Sequence, residues 1–195
     1  MNDIPNNTRR TAEVRNPGDP DARQLVERIL RVDQAGEFGA VRIYEGQLAA
    51  LKWTGRAHGT AGRKIAHMAK AEREHNRTFD RLIAERRVRP TLLSPIWGIA
   101  GFALGAATAL MGEKAAMACT VAVEETIDEH YAQQAAQLGD DEAPLRATIE
   151  KFRAEEIEHK DTALASGAED APAYRPLTAA IKAGSKLAIW LSTRI

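Results

Sequence analysis

"AEREH" (Ala71–His75) and "AEEIEH" (Ala154–His159) carry the same phrase, an acid, two spacers and a histidine, as Glu72-x-x-His75 and Glu156-x-x-His159. Acids fill about 14% of the 195 positions, so composition alone supplies such pairs, and the phrase gains meaning only from its register. Around the first, Ile65, Met68, Glu72, His75, Phe79 and Leu82 recur at three- and four-residue steps. That period predicts a helix over about 61–86 with both polar residues on its apolar stripe. Around the second, Leu145, Ile149, Phe152, Glu156, His159 and Ala163 repeat the pattern after a turn in "LGDDEAP".

Two further helices each carry one acid on an apolar stripe. The first runs from Asp19 and Pro20, an N-cap and N1 signal, to about Leu51 through Leu30, Asp33, Glu37, Tyr44 and Leu48. "KWTGRAHGT", with Gly55 and Gly59, ends it. The other spans about 113–138 through Met117, Thr120, Glu124, Ile127 and Tyr131. An antiparallel hairpin brings together residues equidistant from its turn. Glu37 and Glu72 have their midpoint at Thr54 and Gly55, and Glu124 and Glu156 have theirs at Asp140. Each hairpin therefore sets one lone Glu against one Glu-x-x-His, roughly 25 Å from the turn at 1.5 Å per residue. The two hairpins read as a weak internal duplication.

Packed together, they form a four-helix bundle with four carboxylates and two imidazoles aimed at its axis. Four buried carboxylates repel one another and lose hydration at several kcal/mol each, so they must be protonated or share metal. Because i and i+3 project from one helix face, one Glu and one His can reach one ion. A Glu from each of two helices with Glu-x-x-His from the other two is the ligand pattern of ferritin-like di-iron and di-manganese proteins. Glu155 and Glu158 compete with Glu156, but only Glu156 keeps the spacing that "AEREH" also offers.

Composition agrees with an all-α domain: 44% apolar, 28% charged and 5% aromatic residues. Twenty-seven basic residues balance twenty-seven acidic ones, so there is no general pull toward nucleic acid or an anionic membrane. The single Cys119, inside "MACTVAV", has no internal disulfide partner and reads as a small buried residue in a reducing compartment. Residues 1–20 contain no apolar segment of the secretory kind, and Asp3, Glu13 and Asp19 oppose a transit peptide. They are expected to form a flexible tail before a domain at 21–195.

Between the second and third helices lies "TLLSPIWGIAGFALGAATALMG" (Thr91–Gly112), twenty-two residues without a charge. Its length suits a bilayer of about 30 Å. A simple span, however, would put Glu72 and His75 across the membrane from Glu124 and Glu156. A crossover helix returning along the bundle is expected instead, its apolar residues meeting a membrane interface or lying buried. A C-terminal helix over about 174–195, with Lys182, Lys186 and Arg194 toward one side, is expected to share that contact.

"RVDQAGEFGAVRIYEGQ", "RVRPT", "GFALGAATALMGEKAAMACTVAVEETI", "FRAEEIEH" and "APAYRPLTAAIKAG" together resemble the demethoxyubiquinone hydroxylases (3-demethoxyubiquinol 3-hydroxylases) of ubiquinone biosynthesis, from about Asp21 to Ile195. The resemblance implies a ferritin-like four-helix bundle with a long apolar crossover between helices 2 and 3 and an extra C-terminal helix. It implies a di-iron monooxygenase peripherally bound to the membrane that holds its polyprenylated demethoxy quinone or quinol. The family's two iron ions fall on Glu37, Glu72, His75, Glu124, Glu156 and His159, the six positions reached from spacing. The implied reaction inserts one atom of O₂ into the ring, with the other leaving as water.

Within that reading Glu72 and Glu124 are expected to bridge the ions, with Glu37 and Glu156 terminal or shifting. Tyr131, two turns beyond Glu124, is expected with His130 either as an electron or proton relay or as core packing beside a solvated histidine. No Gly-x-Gly-x-x-Gly or P-loop occurs, so electrons are expected from a diffusing donor, a partner reductase or the quinol itself. The tail favours a bacterial inner membrane, cytoplasmic side, over the matrix side of the mitochondrial inner membrane. The rival functions are a ferritin-like iron-oxidising or storage protein and a peroxide-scavenging di-metal protein. The apolar crossover argues against both, and the absence of Cys-x-x-Cys pairs also argues against the peroxide-scavenging protein.

Overall fold

A computed structural model describes residues 20–195, and the architecture among them is all-α. Six helices follow one another: α1 (Ala22–Trp53), α2 (Thr60–Glu85), α3 (Ser94–Met111), α4 (Glu113–Gln137), α5 (Ala143–Leu164) and α6 (Tyr174–Ser192), with single 3₁₀ turns at Asp140–Glu142 and Ala168–Asp170. The tail expected over residues 1–20 lies, apart from Pro20, outside the described residues.

The start of α1 differs from expectation. Asp21 caps it, its Oδ1 accepting from Gln24 N at 2.7 Å while Gln24 Oε1 accepts from Asp21 N at 3.1 Å. This reciprocal pair satisfies two end groups, whereas Asp19, the expected cap, lies outside the described residues. Gly55 closes the first hairpin with φ +72°, and Gly59, read as a second breaker, is the N-cap of α2.

Helices α1, α2, α4 and α5 form the bundle. At one end Val26, Leu30, Phe79, Tyr131, Leu145 and Ile149 fill the core. At the other Leu51, Ile65, Met68, Met117, Val121 and Ala163 do so. The six polar residues lie between these apolar plugs, so the core isolates them from water at both ends.

The crossover runs as expected, beside α1 and parallel to it: Gly98 meets Phe38, Gly101 meets Gly39, and Gly105 meets Ile43. Glycine permits that approach. A Cβ on Gly105 would lie 1.9 Å from Ile43 O, and one on Gly46 would lie 2.1 Å from Phe102 O. Gly112, at φ 128°, reverses the chain directly into α4. Helix α6 packs on α4, with Lys182 Nζ 2.6 Å from Glu125 Oε2, Lys186 Nζ 2.8 Å from Glu129 Oε2, and Ser192 Oγ accepting from Trp97 Nε1 at 2.9 Å. The lysines expected to form a basic side are thus engaged by α4.

Exposed apolar surface concentrates on this outer layer. Ile99 is 74% exposed and Trp190 52%, joined by Leu92, Ile96, Leu110, Met111 and Leu187. Among the described residues α3 is the one helix long and apolar enough to cross a membrane, by length and composition alone. Its glycine face is committed to α1, and the two hairpins that it joins share one bundle.

Candidate metal centre

The bundle brings all six sequence-predicted ligands together as two groups of four. Glu37, Glu72, His75 and Glu156 form one, and Glu72, Glu124, Glu156 and His159 form the other, with the ligand atoms of each group within 4.8 Å of one another. The hairpins contribute symmetrically: α1 and α2 supply Glu37 and His75 to one position, α4 and α5 supply Glu124 and His159 to the second. Glu72 and Glu156 belong to both groups, so the shared carboxylates are those of the two Glu-x-x-His phrases, not Glu72 and Glu124 as expected.

The shared carboxylates divide their oxygens. His75 Nδ1 stands 2.9 Å from Glu156 Oε1 and 3.9 Å from Glu72 Oε2, while His159 Nδ1 stands 3.0 Å from Glu72 Oε1 and 3.3 Å from Glu156 Oε2. Each carboxylate therefore offers one oxygen to each position. The two imidazole centroids are 6.4 Å apart.

The donor set fits a pair of cations. Both oxygens of Glu72 and Glu156, one each of Glu37 and Glu124, and Nδ1 of both histidines are buried without a hydrogen-bond partner among the described residues. Buried polar atoms are seldom left so, and a cluster of eight facing one space is what metal coordination satisfies. The electrostatics agree. Burial first, then neighbouring carboxylates, push Glu72 and Glu124 well above the ordinary carboxylate range; burial also raises Glu156, with Glu37 adding to it. Burial opposes charging of His75, but the Glu156 and Glu37 carboxylates outweigh it and push it up to about 12. The chain holds more negative potential here than it can neutralise by itself.

Glutamates with raised folded-state values bind more protons folded than unfolded, so their contribution to stability is present below the unfolded value of 4.5 and is lost as pH rises through the folded values. His75 and His159, also raised, act with the same sign. Metal-free protein will melt at a lower temperature at about pH 8 than at about pH 5.5, and saturating divalent metal will reverse that order because deprotonated ligands bind it. Differential scanning calorimetry at both pH values checks this.

The outer contacts are crossed between hairpins. Tyr44 on α1 donates to Glu124 Oε1 at 2.6 Å, and Tyr131 on α4 donates to Glu37 Oε1. Each phenol steadies one oxygen of a lone glutamate and leaves the other free to face the centre. Burial keeps both phenols protonated as donors, pushing them well above the usual tyrosine range. Tyr131 thus serves the facing helix's glutamate rather than Glu124 on its own stripe. Tyr44 was legible only as core, although it follows Glu37 by the seven residues that separate Tyr131 from Glu124.

His130 is partly buried, with about a fifth of its side chain still exposed. Burial lowers it to about 4, and Gln134 Nε2 lies 2.8 Å from its Nε2 while donating to Asp33 Oδ1 at 2.7 Å. Asp33, on the first helix's stripe, is buried, and burial raises its carboxyl well above its usual range.

On the α2 and α5 side a cleft of about 670 Å³ reaches the centre, with His75, His159 and Phe152 in its wall and His67, Arg81 and Lys151 toward solvent. The helices α3 and α6, which carry the exposed apolar surface, pack instead on α1 and α4.

A family model described as "Ubiquinone biosynthesis protein COQ7" matches residues 24–192. The chain belongs to the COQ7 family. Within that family it is 61% identical over 187 residues to a Rhodospirillum rubrum protein named 3-demethoxyubiquinol 3-hydroxylase, covering 96% of this chain and 86% of the relative. It is 48% identical over 178 residues to a human protein named NADPH-dependent 3-demethoxyubiquinone 3-hydroxylase, mitochondrial, covering 89% and 80%. A Saccharomyces cerevisiae protein named 5-demethoxyubiquinone hydroxylase, mitochondrial, is 40% identical over 188 residues, covering 88% and 78%. COQ7 membership agrees with the resemblance drawn from the sequence motifs.

Proposed function

We propose that this chain is an O₂-dependent di-iron monooxygenase that hydroxylates the ring of a demethoxyubiquinone or demethoxyubiquinol in ubiquinone biosynthesis. The observation that carries the metal reading is the division of the Glu72 and Glu156 oxygens between two neighbouring positions. The relatives' names supply the substrate class. Glu72 and Glu156 would be held in common by two iron ions, with Glu37 and His75 completing the ligand set of one and Glu124 and His159 that of the other. Bound iron supplies Lewis acidity and electrons for O₂ activation.

The chain's own groups do the rest. Tyr44 and Tyr131 orient the terminal carboxylates and hold a proton at the oxygen facing away from the centre. Of the two residues read as a relay, Tyr131 touches the ligand set, while His130 joins the Gln134 and Asp33 contacts behind it. The packed cores on either side exclude water along the axis. Glu37 and Glu124 stand on the helices that α3 and α6 cover, so contact of 91–112 and the C-terminal helix with a membrane would set the lone-glutamate side toward the lipid that holds a polyprenyl substrate. For a chain with this bacterial relative we place that membrane as the bacterial inner one, cytoplasmic face.

Anaerobic loading with Fe²⁺, addition of a demethoxy quinol, a reductant and O₂, and mass spectrometry of the product test the activity. A ring product heavier by one oxygen, labelled from ¹⁸O₂, is expected. Iron uptake without it would leave the iron-oxidising or storage reading. Tyr44→Phe and Tyr131→Phe should each lower iron affinity or turnover by about 10–100-fold, the usual cost of losing an outer partner of a ligand. Ile99→Glu should weaken flotation with phospholipid vesicles while leaving iron content unchanged, because it charges the most exposed large apolar side chain of α3.

A further inference from the structure

The two metal positions have the same ligand types, yet their histidines are not held alike. His75 Nε2, the nitrogen turned away from the centre, lies 2.6 Å from Glu155 Oε2, and Lys151 Nζ lies 3.5 Å from Glu155 Oε1. His75 is further clamped by the Phe152 ring, stacked at a 4.0 Å centroid distance. His159 shows no hydrogen bond from its outer nitrogen to any described residue, and its edge opens to the cleft between α2 and α5. Glu155 comes from α5, beside shared ligand Glu156, but reaches across to the histidine of α2. The position formed with Glu37 therefore has an outer carboxylate that its counterpart lacks.

We propose that Glu155 is a positioning residue for His75 and that it makes the two metal positions unequal, so that the one formed by Glu37, Glu72, His75 and Glu156 fills first. The proposal rests on the di-metal reading above. A carboxylate accepting the outer N–H of an imidazole fixes the tautomer, leaving Nδ1 as the free lone pair, and raises its basicity as a ligand. It also adds negative charge next to the first ion. His159 must select its tautomer without such a partner, so the second ion binds more weakly and exchanges more readily through the cleft.

Anaerobic calorimetric titration of the metal-free full chain with Co²⁺, followed in parallel by its visible ligand-field bands, separates the two steps. Wild-type protein is expected to take up two Co²⁺ in unequal steps. Glu155→Gln should weaken the tighter step by about 10–100-fold, bringing it toward the second, which should stay within about threefold. Glu155→Asp should restore part of the difference. Glu158→Gln, removing the same charge from the same cleft, should leave both steps in place. Equal steps in the wild type, an unmoved tighter step in Glu155→Gln, or equal weakening of both steps would each overturn the assignment. Failure of the wild type to take up two ions would instead overturn the di-metal reading on which it rests. Thermal melting of each metal-free variant shows that the fold is kept.

Discussion

Glu156→Ala is expected to empty both metal positions and abolish hydroxylation, whereas Glu124→Ala is expected to keep one ion. The difference follows from where the oxygens point. Glu156 directs Oε1 toward the His75 side and Oε2 toward the His159 side, so its removal takes one of four ligands from each group. Glu124 belongs to one group only. Iron analysis after desalting should read below about one ion per chain for Glu156→Ala and about one for Glu124→Ala, because without Glu156 each position keeps only three ligands, with Glu72 alone in common, and holds a divalent ion weakly. Full retention of two ions by Glu156→Ala would show that the shared carboxylate is not a bridge. In the metal-free state the same variant should melt above the wild type. It removes a fully buried carboxylate whose ionisation is opposed by burial and by Glu37, and stability held back for function is recovered when the function is removed.

Gly105→Leu is the second substitution with a large expected effect, and it acts far from the metal. Its Cβ alone would stand 1.9 Å from Ile43 O and 2.7 Å from Ile43 C, and backbone cannot rotate aside as a side chain does. The helices must separate, breaking their contact along α1. A cost of about 3 kcal/mol or more is expected for such overpacking, which lowers the melting temperature by roughly 6–12 °C for a chain of this size. Gly184→Ala is the matched control: no described residue lies within 4 Å of its Cβ, and it should stabilise α6 by about 0.5–1 kcal/mol. Thermal melts of the two variants beside wild type decide whether close approach, rather than glycine's flexibility, is what Gly105 provides.

The bundle and its six inward residues were legible because helical period and hairpin midpoint are one-dimensional properties, and a sequence carries both. Glu37, Glu72, Glu124 and Glu156 lie at matching depths for that reason. Depth does not fix rotation about the helix axis, however, and rotation decides which carboxylate is shared; hence Glu156, not Glu124, joins both positions. Glu155 was set aside as a rival of Glu156 because only Glu156 keeps the spacing that "AEREH" also offers. Its contact with His75 depends on the separation of α2 and α5, which no spacing within one helix reports. Lys182 and Lys186 on α6 likewise found acids on α4 that only packing brings near. The crossover was read only as an uncharged apolar segment, and the partner of its glycines, the α1 backbone, appears only once the two helices are set side by side.

Tyr44 ties the first hairpin to the second and Tyr131 ties the second to the first, through bonds that need no metal. A protein whose halves are held only by its ions must fold around them, and chelation unfolds it. Here the latch closes beforehand, so the receptacle keeps its shape while ions come and go. Loading is then a matter of passage and exchange, and a chelator should strip the chain without undoing it.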